Sequence, residues 1–77
     1  MDTKVLGIII KQYRKNKNLS QEVLSGLANV DRSHLSKIEL GLRSPTVVVL
    51  NRLANAMSIK ASDVLRAAED VTARRED

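Results

Sequence analysis

Cysteine is absent from the chain. Disulfides and thiolate metal sites are therefore excluded. The single histidine, His34, cannot build a His-based zinc cluster by itself. No metal and no cofactor is expected. Tryptophan and phenylalanine are also missing, and Tyr13 is the only aromatic residue. Binders of single strands and RNA loops stack bases on several aromatic rings, and this chain has too few for that. No apolar run approaches the ~18 residues of a membrane span. The early Asp2 and the short apolar run at residues 5–10 argue against a secretory signal. The expectation is a cytoplasmic protein with no membrane partner. Glycine is scarce, and Gly7, Gly26 and Gly41 form no phosphate-cradling loop. No acid pair clusters with the histidine, and no serine stands at a recognisable motif spacing from it. Catalysis is not expected.

The 77 residues allow one domain around one core. Such a small domain is marginally stable unless something helps it. Without disulfide or metal, the expected help is a partner subunit. The formal charge is +4 and unevenly spread. Residues 1–18 hold Lys4, Lys11, Arg14, Lys15 and Lys17 against Asp2 alone, whereas residues 46–77 are balanced. A basic pole is the electrostatic footprint of nucleic-acid binding, although solvated helices carry such charge too. With so few aromatics, duplex DNA read through a groove is the favoured form.

The β-branched triplets at 8–10 and 47–49 lie inside longer helical patterns, so the reading is five helices and no strand. The first spans about residues 3–16, with Leu6, Ile10, Tyr13 and Lys17 on one face. Gly7 in its early turns costs ~1 kcal/mol of helix propensity relative to alanine, which points to close packing there. Asn18 suits a left-handed C-terminal position. The second helix starts after Ser20 as N-cap, with Glu22 in its first turn, and ends near Ala28. Ser25 is a small inward residue, and Asn29 suits a sharp left-handed corner. The third begins with Asp31 as N-cap, runs to about Leu40 and is closed by Gly41. The fourth follows Ser44-Pro45-Thr46 to about Met57, with core positions Val47, Leu50, Leu53, Ala54 and Met57. The fifth starts near Ala61, with Ala61, Val64, Leu65 and Ala68 on one side. Residues 1–69 form the expected domain, and 70–77 a charged tail that frays.

Residues 19–41, LSQEVLSGLANVDRSHLSKIELG, carry the most information. Two short helices joined by a tight turn are the frame that sets a second helix into the major groove. In that second helix Leu35 and Ile38 point inward, with Leu42 beyond. At 100° per residue, Ser33, Ser36, Lys37 and Leu40 fall on the opposite face, flanked by Arg32 and His34.

A resemblance follows from these residues. Leu6-Gly7, Arg14, Leu19-Ser20-Gln21, Val30, Arg32-Ser33, Leu35-Ser36-Lys37-Ile38-Glu39, Gly41 and Ser44-Pro45-Thr46 resemble the Xre-type helix-turn-helix family of Cro and the phage repressors. The likeness runs from about residue 6 to residue 65. The run RSHLSKIE is also similar to the controller proteins of restriction–modification systems. The family implies an all-α, compact five-helix bundle of the phage-repressor DNA-binding type. It implies a transcriptional regulator that binds a near-palindromic operator as a homodimer, as a repressor or self-regulating controller, bacterial or phage-encoded. RNA polymerase would be a further partner, blocked or recruited by the bound dimer. By position, Arg32, Ser33, Ser36 and Lys37 would lie at base edges. Gln21, Arg43 and Ser44 would hold phosphate. Arg14 and Glu39 would form an ion pair between the first and third helices.

Alternatives stay open for several of these residues. Ser33 and Ser36 can bond a base, a phosphate or water, and His34 can touch phosphate or simply be exposed. Val48, Val49, Arg66 and Val71 are the candidate dimer surface, against isolated exposed side chains. The chain departs from the family at Leu40 and Leu42, where basic or polar residues are frequent. It also departs at Val48 and Val49, which replace polar residues, at Ser25 and Asn29, and at Lys60, which replaces a common N-cap serine. The reading from a different class is an antitoxin-like or anti-repressor interaction module, which a free apolar tail after Ala68 would support.

Overall fold

Five helices make up most of the computed structural model, which describes residues 2–76 and side chains as far as Arg74. They are α1 (Thr3–Asn16), α2 (Gln21–Ala28), α3 (Arg32–Glu39), α4 (Val47–Ala56) and α5 (Ala61–Glu76). No strand occurs among the described residues. Met1 and Asp77, the outer ends of the expected domain and tail, lie outside them.

Short polar side chains start most of these helices. Asp2 accepts from the Lys4 N–H, Ser20 from Val23, and Thr46 from Val49, each satisfying an orphan donor of the first turn. Asp31 precedes α3 but makes no such bond to the backbone. At α5 the polarity is reversed, and the Lys60 N–H donates to Asp63 Oδ2 at 3.1 Å. A third-position acid thus marks a helix start that lacks a capping serine.

Four of the helices end alike. Asn18, Asn29, Gly41 and Ser58 have φ of 58°, 54°, 78° and 59°. The residue after each donates its N–H to the carbonyl five positions back: Leu19 to Arg14, Val30 to Ser25, Leu42 to Lys37 and Ile59 to Ala54. This is the Schellman ending, in which the residue after the left-handed one usually folds back onto the helix. Val30 is buried, and Leu19 and Ile59 pack against the core.

The core is aliphatic. Ile10, Leu24, Leu35, Ile38, Leu53, Met57 and Val64 are its largest fully buried side chains, each stabilising by roughly 1.5–3 kcal/mol. Helix α1 packs on α3 and α5, α2 on α3 and α4, and α4 on α5. Gly7 lets α1 cross close to the end of α3. A Cβ built there would stand 2.3 Å from the Ile38 carbonyl oxygen and 2.8 Å from that of Glu39.

Some expected positions differ. Val47 is 82% exposed rather than a core residue. It is the first residue of α4, at the margin of the buried arc of Leu50, Leu53 and Ala54, where no other element covers it. Leu42 does not point inward. The left-handed turn at Gly41 takes it off the periodicity of α3, and it is 70% exposed. Lys17 is an exposed C-cap of α1 rather than part of a packed face. Helix α5 passes residue 70 without a break, so the charged segment forms its last turns, with Val71 packed against the core and Thr72 Oγ1 donating to the Ala68 carbonyl. The free tail that would support an interaction module is not found among the described residues, since residues 70–76 belong to α5.

The three glycines give a paired prediction. Gly7→Ala should destabilise the domain by about 2–3 kcal/mol, because the added methyl meets backbone that cannot move aside. Gly26→Ala, with nothing within 4 Å of its Cβ, should stabilise by about 0.5–1 kcal/mol. Urea unfolding measures both. A Gly7→Ala variant as stable as the wild type or more so would disprove the close approach at Gly7.

Candidate nucleic-acid interface

The corner between α2 and α3 is built from small and left-handed residues. Ser25 is buried, with its hydroxyl donating to the Glu22 carbonyl at 3.0 Å. Asn29 then turns the chain. Leu35 and Ile38 are completely buried and hold α3 from behind. On its other side Arg32, Ser33 and Lys37 are exposed, and His34 and Ser36 are half-buried. The strip is not packed against the protein's own interior.

An open groove of about 630 Å³ runs along this strip. Its polar lining is Gln21, Arg32, Ser33, Ser36 and Lys37. Leu40 and Leu42 supply the apolar part. No acidic side chain lines it, so the groove carries net positive charge and suits an anion.

Beneath the groove lies a buried polar network. Arg14 Nε donates to Glu39 Oε2 at 2.7 Å and Nη2 to Oε1 at 3.0 Å. Arg14 Nη1 reaches the Leu19 carbonyl at 2.8 Å. Both residues are buried, and no buried side-chain polar atom among the described residues lacks a partner. Arg14 is therefore withdrawn from the basic pole counted in the sequence, which leaves Lys4, Lys11, Lys15 and Lys17 as the exposed cations of residues 1–18. Gln21 also joins this network, its Nε2 donating to Glu39 Oε1 at 3.0 Å. Sequence reasoning missed that contact. It spans 18 positions, and no local pattern signals it. One amide hydrogen of Gln21 remains for a second acceptor such as phosphate.

Ser33 is engaged as well. Its hydroxyl donates to the Asp31 carboxylate. That bond, more than any other effect, holds the Asp31 carboxyl below the usual carboxylate range. Burial opposes the shift, while the nearby Ser33 and His34 amides and the His34 charge add to it. Arg43 and Ser44 are exposed in the segment after α3. Among the candidate dimer residues, Val48 and Arg66 are exposed. Val49 and Val71 are half-buried against this chain's own core, so they offer a partner less surface than the sequence implied. Among the described residues, no group of three His, Cys, Asp or Glu could hold a metal ion. No described helix is long and apolar enough to cross a membrane.

An anchored helix with its polar side outward, set on a tight corner, defines a helix-turn-helix protein. Comparison with known proteins gives the same class. The model of the Helix-turn-helix family matches residues 10–64. The chain is 34% identical over 56 residues to y4dJ of Sinorhizobium fredii, an uncharacterized HTH-type transcriptional regulator, and the match covers 73% of each protein. It is 35% identical over 60 residues to the immunity repressor protein of Bacillus phage phi105, covering 78% of this chain but only 42% of the repressor. Among solved structures, the restriction-modification controller protein C.AhdI from Aeromonas hydrophila aligns with a TM-score of 0.80 at 33% identity, over 82% of this chain and 96% of that one. The chain belongs to the helix-turn-helix family, a family of transcriptional regulators and not of enzymes.

Two predictions concern the polar network. In a double-mutant cycle on Arg14→Ala and Glu39→Ala, each single change should cost about 3–5 kcal/mol and the double change clearly less than the sum. If a single variant fails to fold, Arg14→Lys and Glu39→Gln give the same cycle. Additive losses would rule out the pairing. Separately, Ser33→Ala should raise the Asp31 carboxyl toward its ordinary value in an NMR titration. Because the native value is the lower one, the stability from this contact is complete above the ordinary carboxylate range. It is lost as pH falls through the lowered value.

Proposed function

We propose that this protein is a sequence-specific regulator that binds duplex DNA with α3 in the major groove. The observation that carries the reading is the strip from Arg32 to Lys37, exposed on one side of a helix whose other side is locked by Leu35 and Ile38. Arg32 and Lys37 have the length and donors to reach guanine O6 and N7. Ser33 and Ser36 add shorter contacts, and Ser33 exchanges its bond to Asp31 for one to DNA. Gln21, already oriented by Glu39, turns its remaining N–H to a phosphate at the start of α2, where the helix dipole favours an anion. His34, Arg43 and Ser44 flank it as further phosphate contacts. These contacts supply salt-dependent grip without sequence information.

Two copies would present two such helices about 34–36 Å apart on a near-palindromic operator. Val48 and Arg66, with the neighbouring exposed Val47, are the surface proposed for that dimer. Bound at a promoter, the dimer would block or recruit RNA polymerase, in the manner of a repressor or a self-regulating controller. The relatives named as regulator, immunity repressor and controller support this role.

Selection of binding sites from random duplexes, followed by fluorescence anisotropy on the selected and a scrambled duplex, tests the assignment. Arg32→Ala and Lys37→Ala should each reduce discrimination between the two about ten-fold. Arg43→Ala should weaken both duplexes alike and lower the salt slope by about 1. A uniform loss from all three changes would contradict the division into reading and holding residues. A strict monomer in sedimentation, both free and on the selected duplex, would remove the dimer.

A further inference from the structure

Leu42 breaks a pattern that the rest of the chain keeps. It follows a left-handed residue and donates its N–H five positions back, as Leu19, Val30 and Ile59 do. Those three are buried or packed against the core. Leu42 is 70% exposed, so it does not serve as the hydrophobic clasp of its own helix end. Leu40 is 63% exposed. It stands three residues after Lys37 and four after Ser36, on the same side of α3. Both leucines line the groove that Arg32 and Lys37 also line, and no acidic side chain does.

The occupant of that groove has to satisfy both characters. An apolar protein surface would cover the leucines while stripping water from Arg32 and Lys37 without compensation. A DNA duplex meets both demands. Its phosphates and guanine edges answer the cations, and its major groove displays one apolar group, the thymine C5-methyl. We propose that Leu40 and Leu42 read thymine methyl groups, so that each half-site carries thymine facing the end of α3. The inference rests on α3 lying in the major groove, as proposed above.

Replacing thymine by deoxyuridine removes the methyl and leaves base pairing intact. In the duplex recovered by selection, each thymine is replaced singly. Binding is then measured for the wild type and for the Leu40→Ala, Leu42→Ala double variant. The wild type should lose about four-fold in affinity at one or two positions per half-site, the value of one buried methyl. The double variant should show no loss at those positions. Both leucines are exposed, so its thermal unfolding should match that of the wild type. A selectively bound duplex with no deoxyuridine-sensitive position would overturn the proposal and leave base reading by α3 intact. Sensitivity that persists in the double variant would assign the methyl to another residue. A variant with reduced dimer mass in sedimentation and unchanged deoxyuridine sensitivity would make the leucines a contact between subunits. Failure to select any duplex would overturn the reading by α3 and this proposal together.

Discussion

A carboxylate shut away from water has to be satisfied by its neighbours, and Glu39 is satisfied by three donors from two other parts of the chain. Arg14 grips it from α1 with two nitrogens, and Gln21 reaches it from the start of α2. The last residue of α3 is thereby tied to both helices that frame it. Gly7 brings α1 near enough for that grip, since its missing side chain admits the carbonyls of Ile38 and Glu39. Any drift of α3 along its axis or about it would leave a buried charge short of partners, which costs several kcal/mol. The helix proposed to read bases is held by an electrostatic lock as well as by the packing of Leu35 and Ile38.

That lock also changes what the charge of the molecule means. Counting residues makes Arg14 part of a basic end, yet its guanidinium is spent inside the protein. The positive charge lining the groove comes from Arg32 and Lys37, with Arg43 exposed just beyond α3 and Lys4 packed beside Gly41. Interior and exterior charge have different tasks here, and only the exterior set is available to phosphate.

Much of the fold was legible because its boundaries depend on short-range chemistry. Ser20, Asn18, Asn29 and Gly41 mark helix ends through their own backbone preferences, and each can be read without knowing the fold. Ser58 ends α4 in the same left-handed conformation, but serine does not announce it. The length of α5 was hidden by composition. A charged run reads as a tail until Val71 is seen against the core. Periodicity placed Leu35 and Ile38 correctly. It failed for Val47 and Leu42, because it names a face and not whether anything lies over it. The outward strip of α3 followed from the same periodicity. The link from Gln21 to Glu39 did not, since it depends on how three helices meet. Periodicity already put Leu40 on the outward face, but Leu42 was read as inward, and the groove the two share needed coordinates.

The four left-handed helix endings separate two properties that proteins often entangle. Three of the four are held by residues with a side chain, at Asn18, Asn29 and Ser58, where an L-residue sits about 1–2 kcal/mol above its right-handed alternative. None of the three is a residue proposed to meet DNA. Substitutions at these three corners would change how firmly the bundle holds together and leave the surface proposed to meet DNA untouched.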